Sequence, residues 1–160
     1  MANEDIRLMP IGYVRSNRIE PIDDNWDCVE SRIDLDPALF QPDALAGLDA
    51  FSHVEVVYHC HRVEEAEIVM GARHPRGRMD WPKVGIFAQR AKGRPNRIGV
   101  TVAKIERVET LTIVVSGLDA IDGSPVIDIK PCMRSFLPRG IFHEPDWASE
   151  LMENYWRSSK

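Results

Sequence analysis

Residues 98–130 read IGVTVAKIERVETLTIVVSGLDAIDGSPVIDIK, and this stretch decides the fold. Ile98 to Val108 and Leu111 to Ser116 are rich in β-branched residues, with only Glu109-Thr110 between them, so they predict two strands joined by a hairpin. Asp122-Gly123 marks a second turn. Val126 to Lys130 then sets Val126, Asp128 and Lys130 against Ile127 and Ile129, the two-residue alternation of a half-buried strand. No helix-length segment separates these strands. Successive strands joined this closely argue for an antiparallel sheet or barrel, and against a doubly wound α/β sheet.

The pattern extends upstream. Ile6 to Arg15, punctuated by Gly12, predicts a first strand, and Arg32 to Leu35 a second, with Ile33 and Leu35 on one face. Asp36-Pro37 resembles a helix start, but Pro42 limits Ala38 to Leu48 to short turns. His53 to Arg62 predicts a strand with Val54, Val56, Tyr58 and Cys60 on one face and Glu55, Val57, His59 and His61 on the other. Met70 to Pro82 predicts an exposed, mobile loop, and Val84 to Gln89 another strand. The tail differs: after Glu144-Pro145-Asp146, Trp147, Leu151 and Tyr155 recur at four-residue spacing, which predicts an amphipathic helix. No internal repeat or linker is visible. The expectation is one mostly-β domain over residues 1–160, with a barrel from about 6 to 135 and a helix from about 145 to 156.

Composition narrows the function classes. Three widely spaced cysteines, Cys28, Cys60 and Cys132, do not make a disulfide framework. The opening MANEDIRLMP lacks the apolar run of a secretory leader, and no stretch is long enough to span a membrane. The compartment these features lead us to expect is the cytoplasm. The net charge of −5 argues against a general nucleic-acid coat, yet residues 73–97 hold eight arginines and lysines against Asp80 alone. A basic middle in an acidic chain suggests an anionic ligand or partner.

Several chemistries find no support. There is no glycine fingerprint after a strand, no phosphate-binding loop and no nucleophile elbow. His59-Cys60-His61 offers two imidazoles on one strand face, but no third ligand at metal-binding spacing, so no metal is expected. Two turns remain. Arg94-Pro95-Asn96 displays a guanidinium and an amide beside a glycine-flanked strand, a group suited to a carboxylate or phosphate. Asp119 and Asp122 flank Ala120-Ile121 before Gly123, where acidic side chains can accept from hydroxyls or amines, or simply shape the turn.

The same block carries a family resemblance. Gly85-Ile86-Phe87-Ala88-Gln89-Arg90, Arg94-Pro95-Asn96-Arg97-Ile98-Gly99 and Leu118-Asp119-Ala120-Ile121-Asp122-Gly123-Ser124-Pro125-Val126-Ile127-Asp128-Ile129-Lys130-Pro131 occur in the order of the TsaA-like (TrmO) family. Ile11 to Ser16 resembles its opening strand, and Gly47-Leu48-Asp49-Ala50-Phe51-Ser52-His53 its G-L-x-x-F-S-H element. Arg97 stands where that family usually has proline, and Cys132 where it usually has tyrosine.

The resemblance implies a single-sheeted β-barrel methyltransferase that binds S-adenosyl-L-methionine and works as a homodimer. Its implied reaction is N6-methylation of threonylcarbamoyladenosine at position 37 of tRNA. Implied cofactor contacts are Asn25, Trp26 and Asp27, His61 and Arg62, Arg90, Val100, and Leu118, Asp119, Ala120 and Ile121. Arg94, Asn96 and Lys130 are candidate substrate contacts, and His61 or Asp119 a candidate base. The alternatives are methylation of a small molecule or protein, or a non-catalytic cofactor-binding regulatory module. The shorter chain, which ends in one helix where longer members carry a further C-terminal domain, suits those alternatives as well.

Overall fold

A computed structural model describes residues 4–157. Six antiparallel strands close into a barrel: β1 (Gly12–Ser16), β2 (Glu30–Leu35), β3 (His53–His59), β6 (Ile98–Val108), β7 (Thr112–Ser116) and β8 (Pro125–Pro131). Their order around the wall is β1-β2-β7-β6-β3-β8. A two-stranded ribbon, β4 (Ala72–Arg73) with β5 (Val84–Gly85), sits apart, and one short helix, α1 (Asp146–Met152), lies near the C-terminus.

The alternation in the sequence builds the core. Val14, Ile33, Leu35, Val54, Val56, Ala103, Ile113, Val115 and Val126 point inward and are buried. Each valine, leucine or isoleucine among them contributes about 1.5–3 kcal/mol on burial. Closure falls on a short seam, with β1 and β8 paired only at Gly12↔Val126 and Tyr13↔Pro125. Bonds from Ile11 N to Val126 O and from Gly123 N to Val14 O, both 2.8 Å, extend it. Gly12 is required here, because a Cβ would lie 2.2 Å from the Asp34 carbonyl oxygen.

The hairpin β6–β7, the strand β8 and the absence of a parallel sheet agree with the sequence reading. Five details do not. The first strand starts at Gly12 rather than Ile6. β3 stops at His59, and His61 lies in a turn, so the two histidines do not share a strand face. Val84 to Gln89 is a two-residue strand followed by a 3-10 turn over Ile86–Ala88. The 70–82 loop is anchored, because Trp81 and Pro75 are buried and Trp81 Nε1 donates to Glu150 Oε2 at 2.7 Å. In β8, a register shift opposite Val57/Tyr58 turns both Val126 and Ile129 toward the core, which breaks strict alternation.

Strand direction sorts the connections between the two barrel ends. Turns at 36–52 and 109–111 close one end. Residues 17–29, 60–97 and 117–124 gather at the other, where the C-terminal tail joins them. Among the described residues, no helix is long and apolar enough to cross a membrane.

Candidate active site

The end with the long connections is built around one carboxylate. Tyr58 is buried at the inward face of β3, where its hydroxyl needs a partner. It lies 2.8 Å from Asp119 Oδ1 and 3.0 Å from the Asp119 carbonyl oxygen. Gly99, its register partner on β6, makes room for the ring; a Cβ there would sit 2.3 Å from Tyr58 Cζ. Thr101 Oγ1, inward-facing on the same strand, also donates to Asp119 Oδ1. Tyr155 Oη donates to Oδ2 from the C-terminal tail. Burial first, and the Asp119 charge second, push both phenols well above the usual tyrosine range, so they stay protonated. Asp119 therefore organises this end, with three hydroxyl donors on its two carboxylate oxygens.

A second layer surrounds it. Ser16 N donates to Asp122 Oδ1 at 3.0 Å, and Asp122 N donates to the Arg18 carbonyl at 2.8 Å. Arg18 Nη2 in turn donates to the carbonyls of Asp24 and Asn25, and its guanidinium lies 4.2 Å from the centroid of the Trp26 ring. Trp26 is only 3% exposed. Its Nε1, together with Arg18 Nε and His61 Nδ1, is buried with no hydrogen-bond partner among the described residues. Buried polar atoms normally find partners, so these three orphans make this end the candidate place for a polar ligand. Burial, followed by the Arg62 charge, holds the His61 imidazole below its ordinary value, so it is neutral at pH 7 and able to accept a proton.

The basic stretch is opposed from elsewhere in the chain. Residues 18–25 cross it as an acidic strap. Asp24 lies 2.9 Å from Arg76, Asp23 lies 3.9 Å from Arg76 and 3.8 Å from Lys92, and Glu20 lies 3.9 Å from Arg62. Arg62 and Lys92 also donate to the carbonyls of Ile19 and Pro21. Asp80 is thus not the sole counter-charge, although it does pair with Arg78. Arg90, Arg94 and Arg97 each bind a backbone carbonyl, that of Val100, Gln89 and Val63 respectively, and pair with no carboxylate among the described residues.

The candidate residues divide accordingly. Asn25, Trp26, His61, Arg62, Asp119 and Ile121 belong to this end, and Asn25 holds a left-handed φ of 65° there. Leu118 and Ala120 are buried in the core, so their backbone, not their side chains, is what a ligand can reach. Asp27 flanks a surface groove with Gly117, Val102 and Trp156. Val100 lies on the outer face of β6, its carbonyl taken by Arg90. Arg94 folds back on Gln89 at 3.0 Å, while Asn96 is exposed in the same turn. Lys130 stands apart: it pairs with Asp128 and sits opposite Glu55, toward the other end of the barrel. Among the described residues no group of three histidine, cysteine or acidic side chains is placed to hold a metal.

Sequence reasoning missed Tyr58, Thr101, Tyr155 and Arg18. Tyr58 carried a usable signal, since a phenol on the inward face of an aliphatic strand demands a buried acceptor. Tyr155 carried only its helical spacing.

The closed antiparallel barrel with its polar, loop-covered end sets the protein in a β-barrel class, outside the doubly wound nucleotide-binding class. The chain belongs to the TrmO family: the model of the tRNA-methyltransferase O N-terminal domain matches residues 16–136. A probable S-adenosyl-L-methionine-binding protein of Methanothermobacter thermautotrophicus is 40% identical over 82% of this chain and 93% of its own length. A tRNA (adenine(37)-N6)-methyltransferase of Mus musculus is 40% identical over 58% of this chain, but only 21% of its own length. The crystal structure of TrmO from Pseudomonas aeruginosa aligns with a TM-score of 0.73 at 28% identity, covering 91% of this chain and 63% of that one. The chain thus spans nearly all of the archaeal relative, a fifth of the mouse enzyme and under two thirds of the solved structure.

Proposed function

We propose that this chain is an S-adenosylmethionine-dependent methyltransferase acting on the N6 position of adenosine in tRNA, with threonylcarbamoyladenosine at position 37 as its acceptor. The observation that carries the reading is the coincidence of two independent patterns. The orphaned polar atoms of Arg18, Trp26 and His61, three of five among the described residues, and the Asp119 network fall at the barrel end that also holds most of the residues expected to contact the cofactor. The relatives named for S-adenosylmethionine binding and for tRNA adenine methylation support the same reading.

The residues fit such a cofactor. Trp26 Nε1 and Arg18 Nε supply unsatisfied donors, His61 Nδ1 an unsatisfied ring nitrogen, and Leu118 to Ile121 a backbone held in place through Asp119. The cofactor contributes an electrophilic methyl carbon, so the protein's task is chiefly to align acceptor and donor and exclude water. His61, neutral at pH 7, is the better of the two candidate bases for the proton leaving N6, because three hydroxyls already occupy Asp119. Arg94 and Arg97, free of carboxylate partners, hold the anionic side of the substrate, and Arg94 and Asn96 share one turn for it, while Arg90 stays on the cofactor side. A homodimer in the cytoplasm completes the reading.

The test is reconstitution with purified protein, S-adenosylmethionine and tRNA carrying or lacking the threonylcarbamoyl group, followed by mass spectrometry of the nucleosides. Methyl gain only on the modified adenosine supports the assignment. Gain on unmodified adenosine replaces the acceptor, and no gain on either tRNA despite cofactor binding favours a binding module. Arg94→Ala should lower the rate about 10- to 150-fold, the loss expected for one charge-assisted contact in the transition state. Arg94→Lys should also be slow, because an ammonium lacks the guanidinium fork.

A further inference from the structure

We propose that the C-terminal segment is a latch that completes the cofactor-binding end of the barrel, with Tyr155 as a positioning residue acting through Asp119. The inference rests on the cofactor reading above. Three contacts define the latch. Tyr155 Oη donates to Asp119 Oδ2. The Asn154 carbonyl accepts Asn25 N–H at 3.1 Å, and the Tyr155 carbonyl accepts Trp26 N–H at 2.9 Å. The tail therefore grips both cofactor-facing segments, 25–27 and 118–121, at once. A fourth contact, Glu150 Oε2 to Trp81 Nε1 at 2.7 Å, anchors α1 on the 70–82 loop.

The placement is not a by-product of chain connectivity. β8 delivers the chain to the opposite end of the barrel at Pro131, and residues 132–145 must return along its outside before the tail can dock. The family match stops at residue 136, so the tail lies outside the part of the chain shared with that domain. Without it, Asp119 Oδ2 would lose its donor, and the N–H of the buried Trp26 would lose its acceptor. A hydroxyl on a half-buried carboxylate fixes the direction of that carboxylate, whereas an apolar contact would add stability alone. Trp26, whose Nε1 stays orphaned, and Asp119, whose loop lines the same end, are the groups so fixed.

Calorimetry of the full chain with S-adenosylhomocysteine tests the latch on three proteins: wild type, Tyr155→Phe, and Tyr13→Phe, which removes a half-exposed hydroxyl elsewhere on the barrel. Tyr155→Phe should weaken binding about tenfold or more, the scale of one charge-assisted hydrogen bond. In the methyl-transfer assay it should raise KM for S-adenosylmethionine and leave KM for tRNA unchanged. Tyr13→Phe should match wild type. Measurements run well below the melting temperature of each protein, so a purely structural role leaves Kd at the wild-type value however far Tm falls. That result, or equal rises in both KM values, overturns the latch. A wild-type protein that takes up no S-adenosylhomocysteine overturns the cofactor reading first and the latch with it.

Discussion

The two ends of the barrel are closed by opposite chemistry. At one end Leu35 and Leu45 are buried, with Phe40, Leu48, Val108 and Leu111 packed against them, and short turns cover the opening. At the other, a carboxylate with three hydroxyl donors fills the opening, and three buried polar atoms beside it lack partners. Apolar burial is non-directional and repays itself in stability. A hydrogen-bonded carboxylate gains little net stability but fixes geometry, and unpartnered polar atoms cost stability until a ligand arrives. The comparison separates an end that holds the fold from the end proposed to bind the cofactor.

The sharpest way to break that separation is to remove the carboxylate. Asp119→Ala leaves the hydroxyls of Tyr58, Thr101 and Tyr155 without an acceptor in a partly buried site. Stability should fall by about 3 kcal/mol or more, and S-adenosylhomocysteine should give no measurable heat at millimolar concentration. A variant that binds normally would show that this end is a polar plug and nothing more.

At the opposite end the two effects should part. Leu45→Ala empties a buried site remote from the loops and should cost about 2–5 kcal/mol in urea unfolding. Below its melting temperature, its cofactor Kd should remain within about twofold of wild type, since nothing at the polar end rests on Leu45. A large change in Kd would couple the ends and defeat the comparison.

The same contrast explains what could be read from the sequence. The stable end follows from local rules: the alternation in β2 and β3 predicts which side chains turn inward. Those rules found the barrel strands and the β6–β7 hairpin. They overran the ends of β1 and β3 because hydrophobic runs do not show where a ladder stops. The functional end depends on long-range pairing that no local pattern encodes. Tyr58 and Asp119 are 61 residues apart, and Tyr155 and Asp119 are 36 apart. The motif resemblance brought Asp119 forward, but not the hydroxyls that hold it. Likewise no local pattern ties Asp23 and Asp24 to the basic stretch, and only the fold sets them on Arg76 and Lys92.

That acidic strap gives a smaller and opposite effect, a gain. If the basic stretch meets RNA phosphates, Asp23 and Asp24 compete with them for Arg76 and Lys92. The double variant Asp23→Asn/Asp24→Asn should bind tRNA about 3- to 10-fold more tightly at low salt. The gain should shrink at 0.5 M salt, where screening weakens surface pairs. Cofactor affinity should not change. Unchanged or weaker tRNA binding by filter assay would place the RNA elsewhere on the molecule.

The smallest effect expected is a pH dependence confined to the polar end. Burial, then Arg97 and His61, hold His59 below its ordinary value of 6.5; burial, then Arg62, do the same for His61. A depressed histidine is neutral in the folded chain while its unfolded counterpart still takes up a proton. Above about pH 6.5 both states are neutral and the groups cost nothing; as pH falls below that value the unfolded state gains protons first and stability declines. The decline continues until the folded imidazoles also titrate. Asp34, Asp80 and Glu106, whose carboxyls are held below their usual range by neighbouring donors and charges, lose their contribution only at lower pH. Urea midpoints between pH 7.5 and 5 therefore isolate the two histidines. Wild type should drop over that window, and His59→Gln/His61→Gln should drop less. Leu45→Ala, which alters only the apolar end, should keep the full wild-type slope. An equal slope in the histidine variant would assign the dependence to other groups and remove the titrating element from this end of the barrel.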